Sequence, residues 1–198
     1  YLNVRNNLGN VFKELKNYQK AVKCYEHEIK LQPNNVGALY NLGLVFYLQA
    51  DYKKSLNYYK EGIKLDPNNP NIYKNLGNIF LELGEFDEAK KCYEKAIEND
   101  PENLEHHYSL SNLKKEVLDK QLESKIKNIL KKDKLKNNLA YGNFLLSKYE
   151  KSKKNYKNEL KYLLKGHKYY FESRKAFFET QNKKLLENYK ENKYIVQK

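Results

Sequence analysis

The chain has 198 residues, which suits one globular domain or a short array of repeats, and its 40% apolar residues exclude a fully disordered chain. Its 32% charged residues and mean hydropathy of -0.96 favour a thin, much-exposed structure over a thick globule. Only 8 glycines and 4 prolines favour helices, and no apolar run approaches the ~18 to 20 residues of a membrane span.

Side chains recur every 34 residues in the first half of the chain. Leu8-Gly9, Leu42-Gly43 and Leu76-Gly77 keep this step. Six further columns keep it too: Phe12, Phe46 and Phe80; Tyr18, Tyr52 and Phe86; Ala21, Ser55 and Ala89; Tyr25, Tyr59 and Tyr93; Ile29, Ile63 and Ile97; Pro33, Pro67 and Pro101. This agreement indicates internal repeats.

Each repeat predicts two helices that pack on each other. In the third repeat, Tyr73, Leu76, Gly77 and Phe80 form the apolar stripe of the first helix, and Phe86, Ala89, Tyr93, Ala96 and Ile97 form that of the second. Small residues in the glycine and alanine columns allow a close approach, and the proline column ends the second helix. Since no repeat buries both faces alone, neighbouring repeats must stack.

The pattern L-G-x-x-F, then A-x-x-x-Y, then proline, resembles the tetratricopeptide repeat family, with residues 2–35, 36–69 and 70–103 as three repeats. Arg5 and Leu39 depart from it, because the family often has an aromatic residue there. The resemblance implies an all-α fold, a right-handed superhelix of antiparallel helix pairs, and a scaffold that binds a protein or peptide.

From Leu104 the period degrades, and we predict an irregular helical extension over residues 104–198. A degenerate first helix around Leu110 is followed by an amphipathic helix over 116–132. A looser helix pair then has glycines at Gly142 and Gly166, and we expect the aromatic tail after it to break near Thr180. Terminal repeats are irregular because their outer face meets water or another domain.

Charge divides at the same place. Residues 1–103 carry 14 basic and 14 acidic side chains, whereas residues 104–198 carry 24 and 11, so the net charge of +13 lies in the second half. An acidic partner could therefore dock there, as nucleic acid, a membrane surface or an acidic protein. Nucleic acid is disfavoured because Arg174 is the only arginine of this half, and specific phosphate or base contacts rely on arginine.

The sequence carries no pattern typical of an enzyme. It lacks the glycine-rich loops that bind phosphate and the nucleophile elbow of hydrolases, so we expect neither a catalytic residue nor a cofactor. His106 and His107 point in different directions on a helix, and no third ligand completes a metal site. Cys24 and Cys92 lie two repeats apart, too far for a disulfide, and we interpret both as small buried side chains.

The candidate binding site is the face of the first helices that stacking leaves open. Repeat positions five, six and nine lie on this face. They are occupied by Asn6, Tyr40 and Lys74, by Asn7, Asn41 and Asn75, and by Asn10, Leu44 and Asn78. Asparagine is a poor mid-helix residue, but its amide offers a donor and an acceptor to an extended peptide. Asn7, Asn41 and Asn75 resemble the asparagine ladder of the O-linked N-acetylglucosamine transferase family. A clamp for a peptide carboxylate is less favoured, because only Lys74 with Asn78 fits it.

The second half has a resemblance of its own. Ser111 to Lys115, the looser repeat around Tyr141-Gly142, and Leu164 to His167 resemble bacterial proteins that fuse tetratricopeptide repeats to a sulfotransferase domain. That resemblance implies a non-catalytic arm covalently linked to a transferase domain. The sequence starts at Tyr1 and contains no methionine, so we expect a fragment of a longer protein, which we place in the cytoplasm. Three hypotheses follow: a peptide-binding scaffold, which we favour, an arm of a transferase, and a nucleic-acid binder.

Overall fold

The computed structural model describes residues 4–113 and 118–196, with side chains as far as Lys175 and that of Glu179. Within these ranges the chain forms ten helices and no strand. The helices are α1 (Val4–Glu14), α2 (Tyr18–Leu31), α3 (Val36–Leu48), α4 (Tyr52–Leu65), α5 (Pro70–Glu82), α6 (Phe86–Asn99), α7 (Leu104–Leu113), α8 (Lys120–Lys132), α9 (Lys136–Ser152) and α10 (Tyr156–Val196).

The first compact unit, Tyr1–Pro101, consists of three helix pairs. α1 packs on α2, α3 on α4 and α5 on α6, and contacts of α2 with α3 and of α4 with α5 stack the pairs in chain order. The first helices also touch one another, because α3 contacts both α1 and α5. This arrangement is the stacked, helical superhelix that the 34-residue period predicts.

A glycine and a tyrosine bring the two helices of each repeat together. The ring of Tyr59 lies so close to Gly43 that a Cβ atom there would come within 2.5 Å of it, and the same distance recurs at Gly9 and Gly77. The partner rings, Tyr25 and Tyr93, are fully buried like Tyr59. The glycine column is therefore a packing requirement, as the sequence predicts.

The turns inside the pairs share one backbone conformation. Lys16, Ala50 and Gly84, one in each repeat, have φ values of 57°, 57° and 77°. In each turn, the N–H of the next residue donates to the carbonyl of the phenylalanine five residues before it, as in Asp51 to Phe46 at 2.9 Å. The side-chain oxygens of Asn17 and Asp51 then cap α2 and α4, whereas Glu85 makes no such bond at the start of α6.

The second compact unit, Glu102–Lys198, is built around α9, which α7, α8 and α10 all contact. Its core contains Leu104, Ile126, Leu145 and Leu146. The turn between α9 and α10 repeats the one seen in the first unit, because Lys154 has a φ of 58°. α9 and α10 therefore form another helix pair with the same connection.

Two expectations for the second unit need correction. The helix expected over 116–132 begins at Lys120, because the side chain of Asp119 caps it by accepting a hydrogen bond from the N–H of Leu122. Residues 114–117 lie outside the described residues. The break expected near Thr180 is absent, since α10 is continuous through that position. No proline interrupts this stretch, and Thr180 alone does not end a helix.

None of the helices in the described ranges combines the length and the apolar character that crossing a bilayer requires.

Candidate functional site

The first helices α1, α3 and α5 present the residues at repeat positions five, six and nine, and this surface is called the groove face here. It comprises Asn6, Asn7, Asn10, Tyr40, Asn41, Leu44, Lys74, Asn75 and Asn78. Seven of them are partly exposed, and Asn41 and Asn75 are buried. The groove face is therefore less open than the helical repeat alone predicts.

Asn41 and Asn75 contact other helices instead of projecting into the open groove. Asn41, only 8% exposed, donates from Nδ2 to Oδ1 of Asn6 on the neighbouring first helix at 3.0 Å. Asn75, only 3% exposed, donates from Nδ2 to the hydroxyl of Tyr59 at 3.0 Å. The expectation that position six is open is wrong at these two residues, because the preceding repeat covers them.

Asn10 and Asn78 at position nine are held by the second helix of their own repeat. The hydroxyl of Tyr25 donates to Oδ1 of Asn10 at 2.8 Å, and that of Tyr93 donates to Oδ1 of Asn78 at 2.7 Å. Burial raises the pKa of both tyrosines well above the usual range, so the hydroxyls keep their protons. Each bond uses the amide oxygen and leaves an Nδ2 donor on the groove face.

The remaining groove residues differ in character. Asn7, Tyr40, Leu44 and Lys74 are all half-buried. The ring of Tyr40 lies 6.1 Å from that of Tyr59, and Leu44 occupies position nine of the second repeat, where the other repeats have asparagine. Lys74 supplies the one cationic side chain among the nine groove residues.

Sequence reasoning did not find a cleft of about 640 Å³ that is lined by α2, α4 and the end of α3. Phe46 and Tyr58 form its aromatic wall, with ring planes 3° from parallel and centroids 5.5 Å apart. The ammonium of Lys54 lies 5.1 Å from the Phe46 ring centroid. Phe46 belongs to a column of the repeat, and the further signal for this wall in the sequence is Tyr58, an aromatic residue before Tyr59 that the repeat pattern does not require.

The histidines and cysteines do not gather into a metal site. His106 and His107 are buried in the second unit, and the part of the chain that the structure describes contains no group of three His, Cys, Asp or Glu side chains able to hold a metal ion. Cys24 and Cys92 are both free and partly buried. Their thiols therefore pack in the first unit without forming a disulfide.

These features define the class of protein. Stacked antiparallel helix pairs, a glycine packed on a tyrosine in each pair of the first unit and a shared left-handed turn are the features of a helical repeat scaffold.

Comparison with known families identifies the repeats. Residues 9–50 and 45–84 match a TPR repeat family, and residues 70–103 match a family described as tetratricopeptide repeat. The repeats within residues 9–103 belong to the tetratricopeptide repeat family.

Solved structures share this fold at low sequence identity. The first TPR of Spaghetti (RPAP3), bound to the HSP90 peptide SRMEEVD, is 23% identical with a TM-score of 0.53, over 56% of this chain and 87% of that one. The second TPR domain of human RPAP3, in complex with the HSP70 peptide SGPTIEEVD, is 23% identical with a TM-score of 0.53, over 58% and 96%. YrrB, a TPR protein with an unusual peptide-binding site, is 18% identical with a TM-score of 0.50, over 82% and 83%.

No curated protein matches the chain significantly. The resemblance of the second half to sulfotransferase fusion proteins gains no support from the matches described above. A covalently linked transferase domain and a cytoplasmic location both remain predictions.

Proposed function

We propose that the chain is a binding scaffold that holds an extended peptide of a partner protein along the groove face. The observation that carries the proposal is the row of partly exposed side chains on three consecutive first helices, in which Asn10 and Asn78 are fixed in place by hydrogen bonds from buried tyrosines. The proposal assigns no catalytic step, metal or cofactor to the chain.

The chemistry of the row suits a peptide backbone. The tyrosines occupy the amide oxygens of Asn10 and Asn78, so the two Nδ2 groups are the donors that a ligand meets. An extended peptide exposes a carbonyl on each side about every 6 to 7 Å, and these carbonyls are acceptors for such donors. Because these side chains are already held in place, a peptide that binds them through its backbone orders few additional groups, which lowers the entropic cost of association.

Charge indicates what kind of peptide the groove face accepts. The first 103 residues have no net charge, and Lys74 is the single cation among the nine groove residues. The similar RPAP3 domains are bound to peptides that end in EEVD. We infer that this groove selects its ligand mainly by backbone contacts and by an apolar side chain beside Leu44, with Lys74 adding one contact to an acidic residue.

The test begins with a random-peptide display library selected on the immobilised full chain, followed by calorimetric titration of the enriched peptides. Leu44→Lys places a charge in the middle of the groove face, and Lys74→Ala removes its cation. Lys91→Ala on the exposed side of α6 is the matched control. We expect Leu44→Lys to weaken binding about tenfold or more, because it replaces an apolar contact with a desolvated charge.

Lys74→Ala should weaken acidic peptides selectively, whereas Lys91→Ala should change nothing. The peptides SRMEEVD and SGPTIEEVD serve as acidic references in the same titration. Enriched peptides that bind the Leu44→Lys protein as tightly as the unmodified chain would place their site elsewhere and refute the groove.

A further inference from the structure

Helix α10 carries a row of large apolar side chains that its own unit leaves uncovered. Tyr156, Leu160, Leu164 and Phe171 are 66%, 56%, 61% and 69% exposed. Their spacing of four, four and seven residues places them on one side of a helix. These four residues are called the apolar row.

The apolar row is separate from the surface that α10 uses to pack on α9. Gly166 is buried against the ring of Phe144, and Tyr162 packs on the core of the second unit. α10 is therefore anchored by a different side, and the apolar row needs another explanation. An exposed stripe of this kind on a fixed helix is typical of an interaction surface.

Lysines line one edge of the apolar row. Lys157, Lys161 and Lys165 each follow a residue of the row directly in sequence, and Lys168 continues the series. All four are exposed, and none forms an ion pair within the described residues. The carboxylates of the same stretch are already engaged, since Glu159 pairs with Lys151 and Glu172 with Lys136.

We propose that the apolar row and its lysine edge bind an acidic amphipathic helix of a partner protein. The apolar side chains match the i, i+4 stripe of such a helix, and the lysines match a row of carboxylates beside it. This site shares no residue with the groove face and does not depend on the proposed peptide binding there.

Charge also favours this partner over the other possible occupants of the apolar row. An antiparallel second copy of α10 would bring two lysine edges together, and like charges at close range oppose association. A parallel copy would set the lysine edge against an edge whose carboxylate, Glu159, already pairs with Lys151. A membrane-bound helix carries cations on both edges of its apolar face, whereas the edge opposite the lysines holds Glu159, Leu163 and Tyr170. Binding of nucleic acid would use the lysines and would not explain the exposed apolar row.

The binding experiment uses the full chain and a labelled helical peptide of about 20 residues that carries leucines four residues apart with glutamates beside them. A matched peptide has the same leucines and lysine in place of glutamate. We expect the acidic peptide to bind at least about tenfold more tightly than the basic one in fluorescence anisotropy, with an affinity that falls as salt rises.

Variants then locate the site. Leu160→Gln combined with Leu164→Gln should weaken the acidic peptide about tenfold or more. Lys161→Glu combined with Lys165→Glu should weaken it and reverse the preference for the acidic peptide. The controls are Leu135→Gln, which is 71% exposed before α9, and Lys131→Glu combined with Lys132→Glu on α8. Both controls should bind as the unmodified chain does.

Three results would overturn the proposal. The first is an acidic peptide that fails to bind, or that binds the leucine and lysine variants as tightly as the controls. The second is binding of phosphatidylserine vesicles that the leucine variant loses while the acidic peptide has no measurable affinity. The third is a dimer of the unmodified chain in analytical ultracentrifugation that is absent in the leucine variant. Since all four substituted side chains are exposed, circular dichroism should show unchanged helix content.

Discussion

The side-chain amide of Asn75 donates to the hydroxyl of Tyr59 at 3.0 Å and so links the third repeat to the second. In the first and third repeats, the equivalent tyrosine donates to an asparagine of its own repeat. The second repeat has Leu44 at that place, so Tyr59 finds its amide partner on the next repeat. One apolar substitution therefore turns a bond within a repeat into a bond between repeats.

Tyr59→Phe should destabilise the protein more than Tyr25→Phe. Without the hydroxyl, the buried amide of Asn75 loses a hydrogen-bond partner, and we expect a loss of about 1–3 kcal/mol in the free energy of unfolding. Asn10, the partner of Tyr25, is partly exposed and can bond to water, so the matched change should remove only about 0.5–1.5 kcal/mol. Urea denaturation followed by circular dichroism measures both, and equal losses would contradict the buried link.

The left-handed turn residues offer a test that involves only the backbone. Ala50 has a φ of 57°, a conformation that glycine adopts without strain, so Ala50→Gly should stabilise the protein by about 1 kcal/mol. Gly84 has a φ of 77°, and a Cβ atom there would meet nothing within 4 Å. Gly84→Ala should therefore destabilise by a similar amount through strain alone.

Thermal unfolding of the two variants checks the sign of each effect. The pair controls for packing, because both positions occupy the same place in their repeats and face solvent. A lower melting temperature for Ala50→Gly would show that another contact, and not the backbone conformation, determines the stability of this turn.

The repeat and its helices could be predicted from the sequence because seven columns record contacts made again in every repeat. The burial of Asn41 and Asn75 could not, because a helical projection treats each first helix alone and omits the preceding repeat that covers them. Substitution of either asparagine by alanine removes a buried amide together with its hydrogen bond, so such a variant changes stability as well as any ligand binding. The positive φ of Lys154 in the turn between α9 and α10 could not be predicted either, because lysine gives no sequence signal for that conformation.

Cys92 should react slowly with alkylating reagents. Burial raises the pKa of its thiol to about 11, so little thiolate is present at pH 8. Even after allowing for the greater nucleophilicity of a more basic thiolate, we expect iodoacetamide to modify Cys92 about tenfold or more slowly than a free thiol. Cys24→Ser isolates this reaction for mass spectrometry, and unfolding in urea should restore the ordinary rate. A native Cys92 that reacts as fast as in urea would show that the thiol is not protected.

Asn138 joins the start of α7 to the start of α9 in the second unit. Its Oδ1 accepts a hydrogen bond from the N–H of Leu104 at 2.6 Å, while its Nδ2 donates to the carbonyl of Glu102 at 2.9 Å and to the carboxylate of Asp133. The side chain therefore acts as a cap for α7 supplied by a different helix.

Asn138→Ala should destabilise the second unit by about 1–2 kcal/mol, as removal of a helix cap does. The neighbouring Asn137 is exposed and makes one bond, from Nδ2 to Glu105 at 3.2 Å, so Asn137→Ala should cost less than about 0.5 kcal/mol. Native-state hydrogen exchange measures the loss locally: amides of α7 should exchange faster in Asn138→Ala, while those of α3 and α5 keep their rates. The start of α7 also has a local cap, because Oδ1 of Asn103 accepts a hydrogen bond from the N–H of Glu105 at 3.2 Å. Equal exchange in the two variants would mean that this local cap and the packing of Leu104 hold the helix end without Asn138.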